Sequence, residues 1–221
     1  MTRRPGYRFD YRWREGATLA DGTPVMIRLV RPEDKRFLAA GFAALSPTSR
    51  YLRFFTAKQA LTERELDRLT DLDGVDQLAL GAVRSLPDGS EEGLGIARFA
   101  RDPSVPTVAE AAVTVTDAFQ GKGLGTLLLS RLADAARERG IDCFSGEFLA
   151  SNAAVRQLIE EACPDARLFA EGDVIRAEVP LARMVGAVPQ APGARLLRHV
   201  AGGRLELRLR HLLLKDPEHS L

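Results

Sequence analysis

The spacing of apolar and polar positions changes several times along the 221-residue chain, and each change predicts a different element. Alternation of polar and apolar residues over 76–85 predicts a strand, and the runs at 94–101 and 107–116 predict two more. The short turns between these segments favour an antiparallel meander. Further upstream, Asp21-Gly22 lies between two extended runs within residues 17–30 and predicts a hairpin.

Apolar residues at helical spacing alternate with further strands in the rest of the chain. Helices are predicted over residues 33–45, 46–55, 62–72, 124–139 and 152–162, and strands over 141–150 and 166–182. Two helix starts carry capping signals: Ser46 precedes Pro47, and Thr62 is followed three residues later by Glu65. Antiparallel strands followed by alternating strands and helices predict one α+β (mixed α/β) domain over residues 17–182.

The two ends of the chain differ from this domain in composition. Residues 1–16 are expected to form an N-terminal extension, and residues 183–221 a C-terminal linker and tail. The linker at 185–194 contains two prolines and two glycines. Leucines in the tail could dock on the domain or on a second subunit, so a homodimer is one expectation.

Charge and cysteine content exclude several classes of protein. Lys and Arg number 31 against 30 Asp and Glu, and this balance predicts neither a nucleic-acid nor a membrane partner. Two cysteines, Cys143 and Cys163, indicate no disulfide framework. The sequence shows no secretory signal and no apolar run of membrane-spanning length, so a cytoplasmic protein is expected. The histidines lie in the tail and are too scattered for a metal site, so no metal is expected: His199, His211 and His219.

Gly121, Gly123 and Gly125 occupy alternate positions between a predicted strand and a predicted helix. A Walker A loop is excluded because Lys122 is followed by glycine rather than Ser or Thr. The dinucleotide pattern G-x-G-x-x-G fails as well, since its third glycine would fall on Thr126 or on Leu128.

A third pattern, Gln-x-x-Gly-x-Gly, is met by Gln120, Gly123 and Gly125. At a strand-to-helix junction, successive backbone amides and the helix N-terminus can cradle a pyrophosphate, and glycine lets the phosphates approach. The alternative is a glycine-rich turn without a ligand.

The stretch VTVTDAFQGKGLGTLLLSRLADAARERG resembles the coenzyme A-binding motif of GNAT-superfamily N-acetyltransferases. FLASNAAVRQLIEEA resembles the strand and helix that follow in that family, and LSPTSRYLRFF is similar to part of the bacterial Pat-type protein lysine acetyltransferases. The resemblance covers about residues 24–182 and implies a central mixed, mostly antiparallel sheet flanked by helices.

The resemblance also implies a ligand, acetyl-CoA, and residues to bind it. The backbone of Val113 and Val115 would hold the pantetheine arm, and Asn152 would stand near the start of the next helix. Lys122 would add charge at the pyrophosphate, or it is an ordinary solvated loop lysine. The residues implied for the pyrophosphate are Gln120, Gly121, Lys122, Gly123, Leu124, Gly125 and Thr126.

Acetyl transfer to an amine benefits from a base, and Glu110 is the candidate. It interrupts an apolar run, which should raise its pKa, and the resemblance implies a glutamate at this place; the alternative is a rim glutamate facing water. The tyrosine that many GNAT enzymes carry after the Asn152 position is missing. Cys163 ends that helix and is expected to be a buried small hydrophobe, and Tyr51 is expected in the core rather than in the acceptor site.

The sequence therefore predicts an N-acetyltransferase that transfers an acetyl group from acetyl-CoA to a primary amine. The acceptor is either a protein lysine or a small molecule. A non-catalytic acyl-CoA-binding regulatory protein is the alternative from another class.

Overall fold

The computed structural model describes residues 6–54 and 59–184 and arranges them around one eight-stranded sheet. The strands are β1 (Arg14–Thr18), β2 (Pro24–Leu29), β3 (Gln77–Ser85), β4 (Glu91–Arg101), β5 (Val108–Val115), β6 (Cys143–Leu149), β7 (Arg167–Glu171) and β8 (Val174–Pro180). The helices are α1 (Lys35–Ala44), α2 (Pro47–Phe54), α3 (Glu63–Thr70), α4 (Leu124–Arg137) and α5 (Ala153–Ala162). The predicted α+β fold, with a mixed sheet flanked by helices, is confirmed.

The strand order is β1-β2-β3-β4-β5-β6-β8-β7, and β5 and β6 form the parallel pair in an otherwise antiparallel sheet. Parallel neighbours need a crossover, which α4 supplies between β5 and β6. The predicted meander is therefore β3-β4-β5, and the parallel pair begins where the meander ends.

Local turn and cap chemistry explains most element boundaries. Gly22 has φ +88° in the β1–β2 turn, where Asp21 Oδ1 accepts from the Thr23 amide at 3.0 Å. The capping box before α3 is confirmed, with the Glu65 amide 3.3 Å from Thr62 Oγ1. β4 begins at Glu91, three residues earlier than predicted, because its hairpin closes tightly at Leu86–Ser90.

Helices cover both faces of the sheet. α4 packs its buried leucines, among them Leu128 and Leu132, against the face that carries Val113 and Val115. α1 lies on the opposite face, so close to β4 that a Cβ added at Gly93 would lie 3.0 Å from Phe37 Cβ. The two faces of β5 therefore have different surroundings, and this difference defines the site described below.

Residues ahead of the predicted domain boundary at residue 17 also pack on the sheet and on α4. Phe9 is 0% exposed, its ring lies 4.5 Å from that of Trp13, and its carbonyl accepts from Arg139 at 2.8 Å. Glu15 pairs with Arg131 of α4 at 2.7 Å. These contacts bring part of the predicted extension into the core. The tail beyond residue 184, with its three histidines, lies outside the described residues.

Within residues 6–54 and 59–184, no helix has the length and apolar character needed to cross a membrane.

Candidate functional site

The glycine turn, residues 120–123, connects β5 to α4 by way of a short 3-10 turn at Asp117–Phe119. Gly121 has φ +70° and Gly123, the residue that caps α4, has φ +85°. Both values lie in the left-handed region that glycine adopts without strain. A Cβ on either residue would meet nothing within 4 Å, so the space in front of the turn is open.

The first backbone amides of α4 follow this turn directly. The first intrahelical bond to the turn runs from the Leu127 amide to the Gly123 carbonyl at 3.1 Å. By helix geometry, the amides of Leu124, Gly125 and Thr126 precede it and have no acceptor inside the helix. A helix N-terminus with such amides carries a partial positive charge and can bind a phosphate group.

Two side chains of the turn make intramolecular contacts. Gln120 donates through Nε2 to the Val115 carbonyl at 3.0 Å, which ties the turn to the end of β5. Lys122 Nζ lies 2.8 Å from Asp21 of the β1–β2 hairpin and 4.5 Å from the centre of the Phe119 ring. This hydrogen bond from Lys122, with the Thr23 amide, holds the pKa of Asp21 well below its usual range. Lys122 is therefore a paired lysine rather than a solvated one.

β5 and β6 diverge next to the glycine turn. Their parallel ladder has three pairs, from Val108 and Cys143 to Glu110 and Ser145. Beyond this point β5 continues to Val115 in register with β4, while β6 continues to Leu149 in register with β8. A wedge-shaped gap opens between the two strands, and the glycine turn lies at its wide end.

Glu110 stands at the narrow end of this gap, in the last pair of the β5–β6 ladder, and is half-buried. It shares a face of β5 with Ala112 and Thr114, as the alternation along the strand predicts. Those two residues line a cavity, whereas Val113 and Val115 are buried in the core on the other face. The catalytic role of Glu110 stays a prediction.

The cavity has a volume of about 100 Å³ and lies between the sheet and helices α1 and α3. Its helical wall is apolar and includes Phe37, Leu38, Phe42, Leu45 and Leu69. Three ionisable side chains also line it: Arg28, Asp34 and Arg98. Thr116, at the end of β5, lines the cavity as well, so it extends along β5 towards the glycine turn.

Three other residues considered in the sequence analysis lie at a helix cap, in the core or at the surface. Asn152 is 2% exposed and caps α5, with its Oδ1 accepting from the Val155 amide at 3.2 Å. Cys163 is buried, as predicted, and burial raises the pKa of its thiol. Tyr51 is 50% exposed, so its predicted core position is wrong: it lies on the solvent side of the short helix α2.

Sequence reasoning missed Arg98 and Asp21. Arg98 is 2% exposed although it follows the alternating pattern of β4, in which a charged residue normally points to solvent. Its one signal is its place between the core residues Ala97 and Phe99. The sequence predicts only a hairpin turn at Asp21. Nothing in the local sequence indicates its contact with Lys122, which lies 101 positions away.

Within the described ranges, no group of three or more His, Cys, Asp or Glu residues is arranged to hold a metal ion.

Comparisons with known proteins agree with this geometry. The model of the acetyltransferase (GNAT) family matches residues 80–163, which run from β3 to the end of α5. An acetyltransferase of Pseudomonas aeruginosa is 34% identical over 141 residues, which make up 64% of this chain and 75% of that protein.

Two solved structures have the same fold. The GNAT domain of S. lividans PAT is 29% identical with a TM-score of 0.69, and the match covers 78% of this chain and 99% of that one. A Salmonella typhimurium protein, yncA, solved with its cofactor acetyl-CoA, is 22% identical with a TM-score of 0.57. That match covers 76% of this chain and 98% of the other.

Proposed function

Because the chain belongs to the GNAT acetyltransferase family, we propose that it transfers an acetyl group from acetyl-CoA to a primary amine. The observation that carries the proposal is the wedge-shaped gap between β5 and β6, which has the glycine turn at its wide end and Glu110 at its narrow end. The solved relative with acetyl-CoA supports the same ligand for this fold.

The coenzyme would lie along β5. The pyrophosphate would accept hydrogen bonds from the amides of residues 121–126, and the Gln120 side chain would keep the turn in place. The pantetheine arm would enter the gap and pair with the backbone of β5 around Val113 and Val115. From Val115 to Glu110 the strand advances about 16 Å, at about 3.3 Å a residue, so the thioester would reach the narrow end.

Glu110 would act as the general base. A free alkylamine is mostly protonated at neutral pH and cannot attack a carbonyl until it loses a proton. Glu110 would accept that proton, directly or through a water molecule. The amine nitrogen then forms a bond to the thioester carbon, the carbon–sulfur bond breaks, and coenzyme A leaves as a thiolate.

The leaving thiolate would take its proton from solvent. The helix α5 (AAVRQLIEEA) contains no tyrosine. Cys163 follows this helix, but its sulfur is buried 3.7 Å from the Pro180 carbonyl, inside the core. Among the described residues, neither α5 nor Cys163 therefore supplies the acid that many relatives of this family use.

A thiol-release assay tests the proposal. Acetyl-CoA is incubated with the protein and with two panels, one of proteins with accessible lysines and one of small amines. Release of coenzyme A with an acceptor supports the enzyme, and the panel that gives release identifies the acceptor class. Suppose that calorimetry shows tight binding of acetyl-CoA but neither panel releases coenzyme A. The protein would then be a non-catalytic acyl-CoA-binding protein rather than an enzyme.

A further inference from the structure

The stretch SPTSR, residues 46–50, begins α2, and its side chains reach the loop that leads to the glycine turn. Ser49 is 0% exposed, and its hydroxyl donates to Asp117 Oδ1 at 2.8 Å. The Ser46 amide donates to the other carboxylate oxygen, Oδ2, at 3.2 Å. Asp117 lies in the short 3-10 turn that follows β5. The start of α2 is therefore bonded to the proposed coenzyme loop, 68 and 71 positions away along the chain.

The Asp117 carboxylate also bonds within its own loop. Gln120, the first residue of the glycine turn, donates through Nε2 to Asp117 Oδ1 at 3.2 Å. The carboxylate stands at the N-terminus of α2, where the partial positive charge of a helix favours an anion. One side chain thus accepts hydrogen bonds both from the glycine turn and from the start of α2.

Arg50 continues this connection from α2 to α1. Its Nε donates to the Leu45 carbonyl at 3.1 Å, and its Nη2 donates to the Ala43 carbonyl at 2.9 Å. These carbonyls lie at the C-terminal end of α1, and Leu45 lines the cavity on the Glu110 face of β5. A series of polar contacts therefore runs from the glycine turn, through Asp117 and the start of α2, to the helical wall of the cavity.

From this series we infer that Asp117 is a positioning residue, which fixes the α1–α2 wall of the cavity when the coenzyme occupies the glycine turn. The inference rests on the proposed function, because it takes the glycine turn as the place of the pyrophosphate. A bound pyrophosphate would hold the turn and the adjoining Asp117 loop. The carboxylate would then hold Ser46 and Ser49 more firmly, since groups that share a hydrogen-bond network stabilise one another.

Amide hydrogen exchange of the full chain, with and without coenzyme A, tests this inference. Coenzyme A carries the pyrophosphate and needs no acceptor. In the wild-type protein it should slow exchange at the start of α4 and, by about fivefold or more, across residues 40–51. In Asp117→Ala the slowing at α4 should persist, and the slowing across residues 40–51 should be lost. If Asp117 only stabilised α2, exchange would be faster in the variant, but coenzyme A would still slow it by the wild-type factor.

Two further variants test the connection from both ends. Ser49→Ala removes the buried donor on α2 and should abolish the slowing across residues 40–51, although Ser49 lies outside the glycine turn. Asp117→Asn keeps an oxygen acceptor for Ser49 and Gln120 but loses the acceptor of the Ser46 amide. It should therefore keep part of the coenzyme effect.

Asp102→Ala is the matched control. Asp102 also accepts from backbone amides, those of Ser104 and Val105, but these lie in its own loop between β4 and β5. The variant should leave the coenzyme effect unchanged. If Asp117→Ala does not fold, Ser49→Ala and Asp117→Asn still decide.

Four outcomes separate this inference from the proposed function. Slowing at α4 alone in the wild-type protein would overturn the inference and leave acetyl transfer intact. Slowing across residues 40–51 that survives in Asp117→Ala and Ser49→Ala would overturn the role of Asp117. The expected pattern without thiol release from acetyl-CoA would count against acetyl transfer alone. No effect of coenzyme A at either place would overturn both.

Discussion

Gly121 and Gly123 are required by the shape of the backbone, whatever binds at the turn. Both have positive φ, and the open space in front of each is where an added methyl group would project. Gly125 differs from them, since it lies buried in the first turn of α4. The three alternating glycines of the sequence therefore have two different roles.

Gly123→Ala tests the phosphate role of the turn. An alanine with φ near +85° is expected to cost about 1–2 kcal/mol of stability, and its methyl group should lower acetyl-CoA affinity by about tenfold or more by blocking the helix amides. Gly172→Ala is the matched control, since Gly172 also has positive φ, +62°, in the β7–β8 turn. Thermal unfolding and calorimetric titration measure the two effects.

The control separates backbone strain from ligand contact. A phosphate site is supported if Gly123→Ala and Gly172→Ala lose similar amounts of stability but only Gly123→Ala loses affinity for acetyl-CoA. If Gly123→Ala folds and binds acetyl-CoA with wild-type affinity, the pyrophosphate does not bind at the turn.

Glu110→Gln tests the base. The amide keeps the shape of the side chain but cannot accept the proton, and general-base catalysis contributes on the order of 10²–10⁴-fold. Turnover should fall by at least about tenfold, while acetyl-CoA affinity should barely change. The acidic limb of the pH–rate profile should flatten, because the group that titrates there is gone. A wild-type rate with the same profile would make Glu110 a bystander.

At the scale of elements, the β1–β2 hairpin is joined to the glycine turn. The Ala20 amide donates to the Lys122 carbonyl at 3.1 Å, and Asp21 pairs with the Lys122 side chain. The hairpin therefore supports the turn and also holds a lysine that could otherwise reach a phosphate.

Asp21→Asn tests this pairing. Both side chains are partly exposed, and ion pairs near the surface contribute about 0–1 kcal/mol, so the fold should persist. Removing the carboxylate frees Lys122 and takes a negative charge away from the phosphates. Acetyl-CoA should therefore bind more tightly, and the gain should shrink as salt is raised.

Asp88→Asn is the matched control, because Asp88 also precedes a glycine in a hairpin turn, between β3 and β4. It should leave acetyl-CoA affinity unchanged. Weaker binding in Asp21→Asn would mean that Lys122 acts in the turn only while Asp21 holds it.

At the scale of the whole molecule, the eight strands, the glycine turn and the cavity all lie within the described residues. The N-terminal residues belong to this unit through Phe9 and Glu15. The predicted limits of the domain, 17 and 182, remain predictions, although the packing of Phe9 favours an earlier start.

A truncation that ends at Val185 tests the role of residues 186–221. We expect unchanged acetyl-CoA affinity, because the proposed coenzyme contacts all come from β5, the glycine turn and the first residues of α4. Calorimetry gives the affinity, and light scattering gives the oligomeric state of both proteins. A folded, monomeric truncation that no longer binds acetyl-CoA would contradict the expectation.

Local rules made most of the elements predictable. Three examples are the hairpin at Asp21-Gly22, the capping box at Thr62 and the leucines of α4. Each depends on residues a few positions away, which can be read directly from the sequence. The glycine turn was recognisable for the same reason, since a strand, alternating glycines and a helix follow one another within about fifteen residues.

Contacts between distant segments were decided only by the tertiary structure. The alternation of side chains along β4 and β5 assigns Arg98 and Glu110 to one face of the sheet, but it does not indicate which helix covers that face. The packing of α1 on the sheet encloses Arg98, and the register of β5 with β6 places Glu110 where the strands diverge. The sequence by itself thus determined the elements and the glycine pattern between β5 and α4, whereas the fold decided the cavity, its buried charge and the pairing of Lys122, because these depend on which segments meet.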